Sequence, residues 1–176
     1  LWASRLGLPP HFNLDDMDIE FPDPSMSDND EFDSKYLIAN TQLALCVGSV
    51  MKEVYGISGS SSFIENIICS LKRLEAFFDN LNPELKVVPE RITTNRSTEN
   101  LHLRYNQMII VTVRPLYLSL MKEGKMCTTA MEDVKLKCID AALLNVNILR
   151  SLYESGWFSA FGFLEAQCCF SSILIL

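Results

Sequence analysis

The stretch 101–120, LHLRYNQMIIVTVRPLYLSL, constrains this chain most, because after Arg104 apolar side chains recur at nearly every angular position of a helix. A helix that is apolar all round has to be surrounded by other helices. Pro115 lies inside it, donates no backbone hydrogen bond and crowds the carbonyl of Val111, which predicts a kink or an end to the regular ladder there. Arg114, at that break, is always charged and is expected to hold an acidic partner or backbone carbonyls opposite it. A bilayer requires ~20 predominantly apolar residues, and His102, Arg104, Asn106, Gln107 and Arg114 leave too short an uncharged run, so no membrane span is expected.

With 176 residues, 48% of them apolar, the chain has enough material for a sizeable core and is expected to form one helical domain. A net charge of −7 with scattered basic residues argues against nucleic-acid binding by this stretch, since phosphate contacts need clustered Lys and Arg. The cysteines at 46, 69, 127, 138, 168 and 169 fall mostly in apolar helical patterns without metal-ligand spacing. They read as reduced, buried thiols rather than a disulfide framework or a zinc site. Leu1 is not an initiator methionine, and the run 170–176 ends apolar without a cap, so the chain is expected to be a piece of a longer polypeptide. Nothing in its opening residues leads one to expect secretion.

Along the chain, 1–10 reads as a helix end closed by Gly7, Pro9 and Pro10, and 11–33 as an acidic surface loop with Pro22 and Pro24. A helix capped by Asp33 or Ser34 then runs to about Tyr55 on a stripe of Tyr36, Leu43, Val47, Val50 and Val54, with Gly56 closing it. After a Gly/Ser hinge at 58–62, Ser62 and Glu65 make a capping box for a second helix. Phe63, Ile64, Ile67, Ile68, Leu71, Leu74, Phe77, Phe78 and Leu81 line its apolar face, while Lys72, Arg73, Glu75 and Asp79 fall outside. The segment 87–96 is a loop in which Arg91 and Arg96 read as a solvated turn, and Ser97 or Thr98 starts the central helix. Beyond Gly124, Thr129 and Glu132 open a helix lined by Met131, Val134, Cys138, Ala141, Ala142, Leu149 and Leu152, ending at Gly156. A last helix is expected from Trp157 onward. No strand pattern or fixed-period repeat is evident, so the fold class is all-α: an irregular multi-helix bundle around a buried, proline-kinked central helix.

Little in the chain is chemical. His11 and His102 belong to no Cys–His or Ser–His–Asp signature, and no P-loop follows Gly56 and Gly59, so no catalytic residue, cofactor or metal is assigned. The run Asp15, Asp16, Asp18 and Glu20 is the alternative: a carboxylate cluster of an all-α metal-dependent lyase or transferase. Its alternating spacing suits an extended loop better than one helix face, which favours a solvated or arginine-pairing role. Beside Pro115, Met108, Val111 and Leu116, with Phe77, are candidates to line a cavity for a small apolar effector.

The succession of short motifs resembles the middle homology region of fungal zinc-cluster transcription factors. Ser4-Arg5-Leu6-Gly7-Leu8-Pro9, then Asp15, Asp16 and Asp18 before Ile19-Glu20-Phe21-Pro22, is similar to that family's S-R-L-G-R-P and D-x-D-[IV]-x-x-P signature. The segments 39–44, 101–106 with Arg114-Pro115, 138–142 and 156–162 also resemble it, in the family's order. Leu8 departs from the basic residue often found there. What the resemblance implies is a nuclear regulatory domain controlling transcription, with DNA and zinc bound by an N-terminal cysteine cluster outside this stretch and co-regulators as partners. It implies signature residues Arg5, Gly7, Pro9, Asp15, Asp16, Asp18, Arg114 and Pro115, of which Arg114 or Arg5 is expected to pair with Asp15, Asp16 or Asp18. An assembly module or homodimer with the same fold is a further alternative.

Overall fold

The computed structural model describes residues 31–56, 63–86, 95–123, 129–159 and 162–176. The expected helix end at 1–10, residues 11–30 of the acidic loop and the hinge at 58–62 therefore lie outside the described residues, whereas 31–33, expected as loop before a cap at Asp33 or Ser34, already belong to the first helix, which starts at Glu31. Within them the fold is all-α, as the patterning predicts: α1 (Glu31–Tyr55), α2 (Phe63–Asp79), a 3-10 turn (Pro83–Leu85), α3 (Arg96–Glu123), α4 (Thr129–Glu154) and α5 (Phe163–Ile175). They form two compact units, one through Leu85 and one from Lys86 onward.

The first unit is an antiparallel pair of helices. Ala39, Leu43, Val47, Val50 and Val54 recur every three or four residues, so they share one face of α1, and all are buried. Ile67, Leu71, Leu74 and Phe77 do the same on α2, with Leu81 and Leu85 continuing the core past the helix end. The polar ties confirm the antiparallel course. Near the end of α1, the Glu53 carboxylate accepts from Arg73 Nη1 at 2.7 Å and Ser70 Oγ at 3.1 Å, while Lys35 near the start pairs with Glu84 at 3.1 Å. Arg73 is thus a tie between helices rather than an outer-face residue.

In the second unit α3 runs antiparallel to α4 and alongside α5. Leu101, His102, Leu103, Tyr105, Asn106, Gln107, Met108 and Ile110 are all buried, so the helix is enclosed as expected over 101–110, whereas from Val111 onward most residues are half-buried and Leu118 is 50% exposed. Leu103 belongs to one buried cluster with Ile148, Leu149, Leu152, Leu164 and Cys168. The start of α3 differs from expectation: Asn95 Oδ1 accepts from Ser97 N at 2.9 Å and is the cap, whereas Thr98 is buried inside the helix. The helix also continues through Pro115 to Glu123, so it does not end there, although Pro115 has no N–H to give Val111.

At the end of α4, Trp157 N donates to Leu152 O at 2.9 Å and Gly156 N to Tyr153 O at 3.1 Å, with Gly156 at φ +73°. This is a Schellman turn, whose left-handed position favours glycine. It also explains why no helix begins at Trp157: residues 157–159 are irregular, and α5 starts only at Phe163. Gly156→Ala should cost about 1–2 kcal/mol through the left-handed backbone alone, read as a lower urea midpoint with unchanged m-value.

Candidate functional site

Polar residues concentrate in the interior of the second unit. At one end the N-termini of α3 and α5 meet the C-terminus of α4. Glu99, 2% exposed, accepts from Ser151 Oγ at 3.3 Å. Burial pushes its carboxyl above the usual carboxylate range, and the Ser151 hydroxyl partly offsets that by bonding the charged form. Close by in the fold, the Glu165 carboxylate lies 3.6 Å from Arg96 Nη2; the Glu165 side chain is 6% exposed and that of Arg96 49%. Glu165 occupies the third position of α5 and folds back over Gly162, where any Cβ would collide with the carboxylate. Arg96 is solvent-exposed, as expected, but it stands at the start of α3 rather than in a loop turn and pairs with a buried acid.

The asymmetry of that pair yields a prediction. Arg96→Ala leaves Glu165 buried without its cation and should cost about 1–3 kcal/mol, discounted from a fully buried pair because Arg96 is half in water. Glu165→Gln, which releases Arg96 to solvent, should cost less. Paired urea titrations of the two variants give the comparison.

Deeper in the unit lies a second polar group: Asn106 and Gln107 on α3, Asn145 on α4, and Ser171 and Ser172 on α5, all buried. Gln107 Nε2 donates to Ser171 Oγ at 2.9 Å. Neither group was assigned from the sequence. A signal existed for Asn145, which interrupts the apolar stripe of α4 between Ala142 and Ile148.

The residues singled out from the sequence are dispersed. Arg5, Gly7, Pro9, Asp15, Asp16, Asp18 and Glu20 lie outside the described residues, so neither the arginine–carboxylate pairing nor the metal alternative is placed. Arg114 and Pro115 are half-buried on α3, and among the described residues no carboxylate pairs with Arg114. Arg114 does act electrostatically on Cys138. Met108 and Leu116 are buried and Val111 half-buried on α3, whereas Phe77 is buried on α2 in the first unit. His102, expected as a polar residue at the start of the central helix, lies in its second turn and is 2% exposed. Among the described cysteines all are free, with Cys138 and Cys168 buried as expected but Cys69 and Cys169 exposed. Among the described residues no group of three or more His, Cys, Asp or Glu could hold a metal ion, and no helix is long and apolar enough to cross a membrane.

No family model matches the chain, and no solved structure does. Over 143 residues it is 28% identical to an "uncharacterized transcriptional regulatory protein" of Schizosaccharomyces pombe. The chain is similar to a transcriptional regulator. The aligned stretch covers 80% of this chain but only 18% of that relative.

Proposed function

We propose that this chain is a regulatory domain of a fungal zinc-cluster transcription factor, acting in the nucleus to control DNA-templated transcription. The observation that carries the reading is the 28% identity over 143 residues to a protein named as a transcriptional regulator. The motif order from Arg5 to Gly162 supports the narrower family assignment. The all-α interior, whose polar groups tie helices together, suits a domain that holds and relays conformation. DNA and zinc binding belong, in this reading, to an N-terminal cysteine cluster outside residues 1–176. A small apolar effector beside Pro115, touching Met108, Val111 and Leu116, and transcriptional co-regulators are its proposed partners, while Arg114 or Arg5 pairs with the Asp15–Asp18 run. The test is deletion of 1–176 from the parent protein. Target transcription should change while binding of the purified parent to DNA persists; an unaltered transcript level, or a parent without a six-cysteine cluster, refutes the assignment.

A second reading, an assembly module with the same fold, is favoured by the outer face of α5. Phe163, Phe170, Ile173 and Leu174 are 49%, 65%, 67% and 59% exposed, a contiguous apolar strip on one helix. If this strip joins two copies, light scattering should give a dimer that Phe170→Glu with Ile173→Glu converts to monomer.

A further inference from the structure

The polar residues in the middle of the second unit fall at one level of the bundle. Between α3 and α4, the Glu99–Ser151 hydrogen bond and the shared cluster of Leu103 with Ile148 and Leu149 fix an antiparallel alignment. That alignment sets Asn106 and Gln107 level with Asn145. Between α3 and α5, Cys168 Sγ donates to Leu103 O at 3.6 Å and Gln107 bonds Ser171, which brings Ser171 and Ser172 to the same height. Asn106, Gln107, Asn145 and Ser172 are 2%, 5%, 0% and 0% exposed.

Several of their polar atoms are unpaired among the described residues. Asn106 Nδ2, Gln107 Oε1, both Nδ2 and Oδ1 of Asn145, and Ser172 Oγ find no partner among the described residues. Buried amides and hydroxyls in folded proteins are almost always bonded, to protein or to ordered water. Here donors and acceptors are mixed in one layer and no member is ionised, so the complement is a small neutral group that both gives and accepts hydrogen bonds. A divalent cation would find no carboxylate there to offset its desolvation.

We propose that this layer is a buried hydration site, in which ordered water bridges Asn106, Gln107, Asn145 and Ser172, and that the hydrated layer fixes the alignment of α3, α4 and α5. A buried water needs about three such partners, and the layer supplies them. The alignment follows from what a slip would do. Moving α4 by one turn along α3 carries Asn145 away from the level of Asn106, Gln107 and Ser172, either toward the apolar cluster around Leu103 or in the opposite direction. The inference is independent of what the parent protein regulates.

A high-resolution crystal structure of the full 176-residue chain, with melting curves of Asn106→Leu, Asn145→Leu and the double variant, tests it. The expected result is ordered water within about 2.7–3.2 Å of the Asn145 amide and of at least one other member of the layer. Each single variant should lower Tm by about 5–10 °C, because its partners stay buried and unpaired. The double variant should melt well above the sum of the two losses yet give broadened amide resonances, as alternative alignments become populated. Direct bonding among the four side chains without water, or strictly additive losses with sharp resonances, overturns the proposal. If a variant does not fold, the wild-type crystal structure alone decides.

Discussion

Leu103→Ala is expected to destabilise the second unit by about 2–5 kcal/mol, a large share of the ~5–15 kcal/mol typical of a folded domain. Leu103, on α3, is fully buried in a cluster with residues of the two other helices: Ile148, Leu149 and Leu152 on α4, and Leu164 and Cys168 on α5. Truncation removes the methyl groups on which these neighbours converge. The void cannot be closed by one helix moving inward without parting from the third, so the cavity cost adds to the lost transfer energy. Urea unfolding followed by helix ellipticity measures the loss. Leu136→Ala on the outer face of α4, where the side chain is 55% exposed, should change the midpoint little by comparison. If the two variants behave alike, the helices do not pack as described.

The same residues show how far sequence alone reaches. Periodicity located α1, α2 and α4, because each buries a face whose spacing is dictated by 3.6 residues per turn, while α3 and α5 were read from unbroken apolar runs. The run in α3 also identified it as the enclosed helix, since no solvent-facing stripe is left between Leu101 and Ile110. Helix ends were less legible. Asn95 caps α3 although Ser97 and Thr98 are equally good capping types, and only the chain's path decides among them. The Trp157 segment is apolar enough to read as helix, yet the Schellman turn at Gly156 reverses the chain and α5 begins six residues later. Polar partnerships were least legible. Arg96 and Glu165 are 69 positions apart in sequence, and nothing in either neighbourhood announces that one is buried and the other completes it. Local pattern states which residues avoid water; it carries no label for a polar residue that tertiary packing will enclose.

Cys138 gives the second large effect, and it is a pH effect. The thiol is fully buried on α4, and burial pushes its pKa up from 9.0 to about 11, with the Arg114 guanidinium pulling part of the way back. In the unfolded chain the thiol ionises near 9.0, so below that pH both states hold the proton and stability is unaffected by this group. Between pH 9 and 11 the unfolded chain has released its proton while the folded protein keeps it. Stability therefore falls by about 1.4 kcal/mol per pH unit, reaching a loss of about 3 kcal/mol above the folded pKa. Cys138→Ala should remove this slope, and the wild-type minus variant difference isolates it from the titration of lysines and tyrosines. Arg114→Gln sharpens the test, because losing the positive charge beside the thiol should raise the folded pKa further and extend the slope to higher pH. An Arg114→Gln protein whose alkaline limb superimposes on the wild type would mean that the cation at the proline break does not act on α4, and that Arg114 is engaged elsewhere.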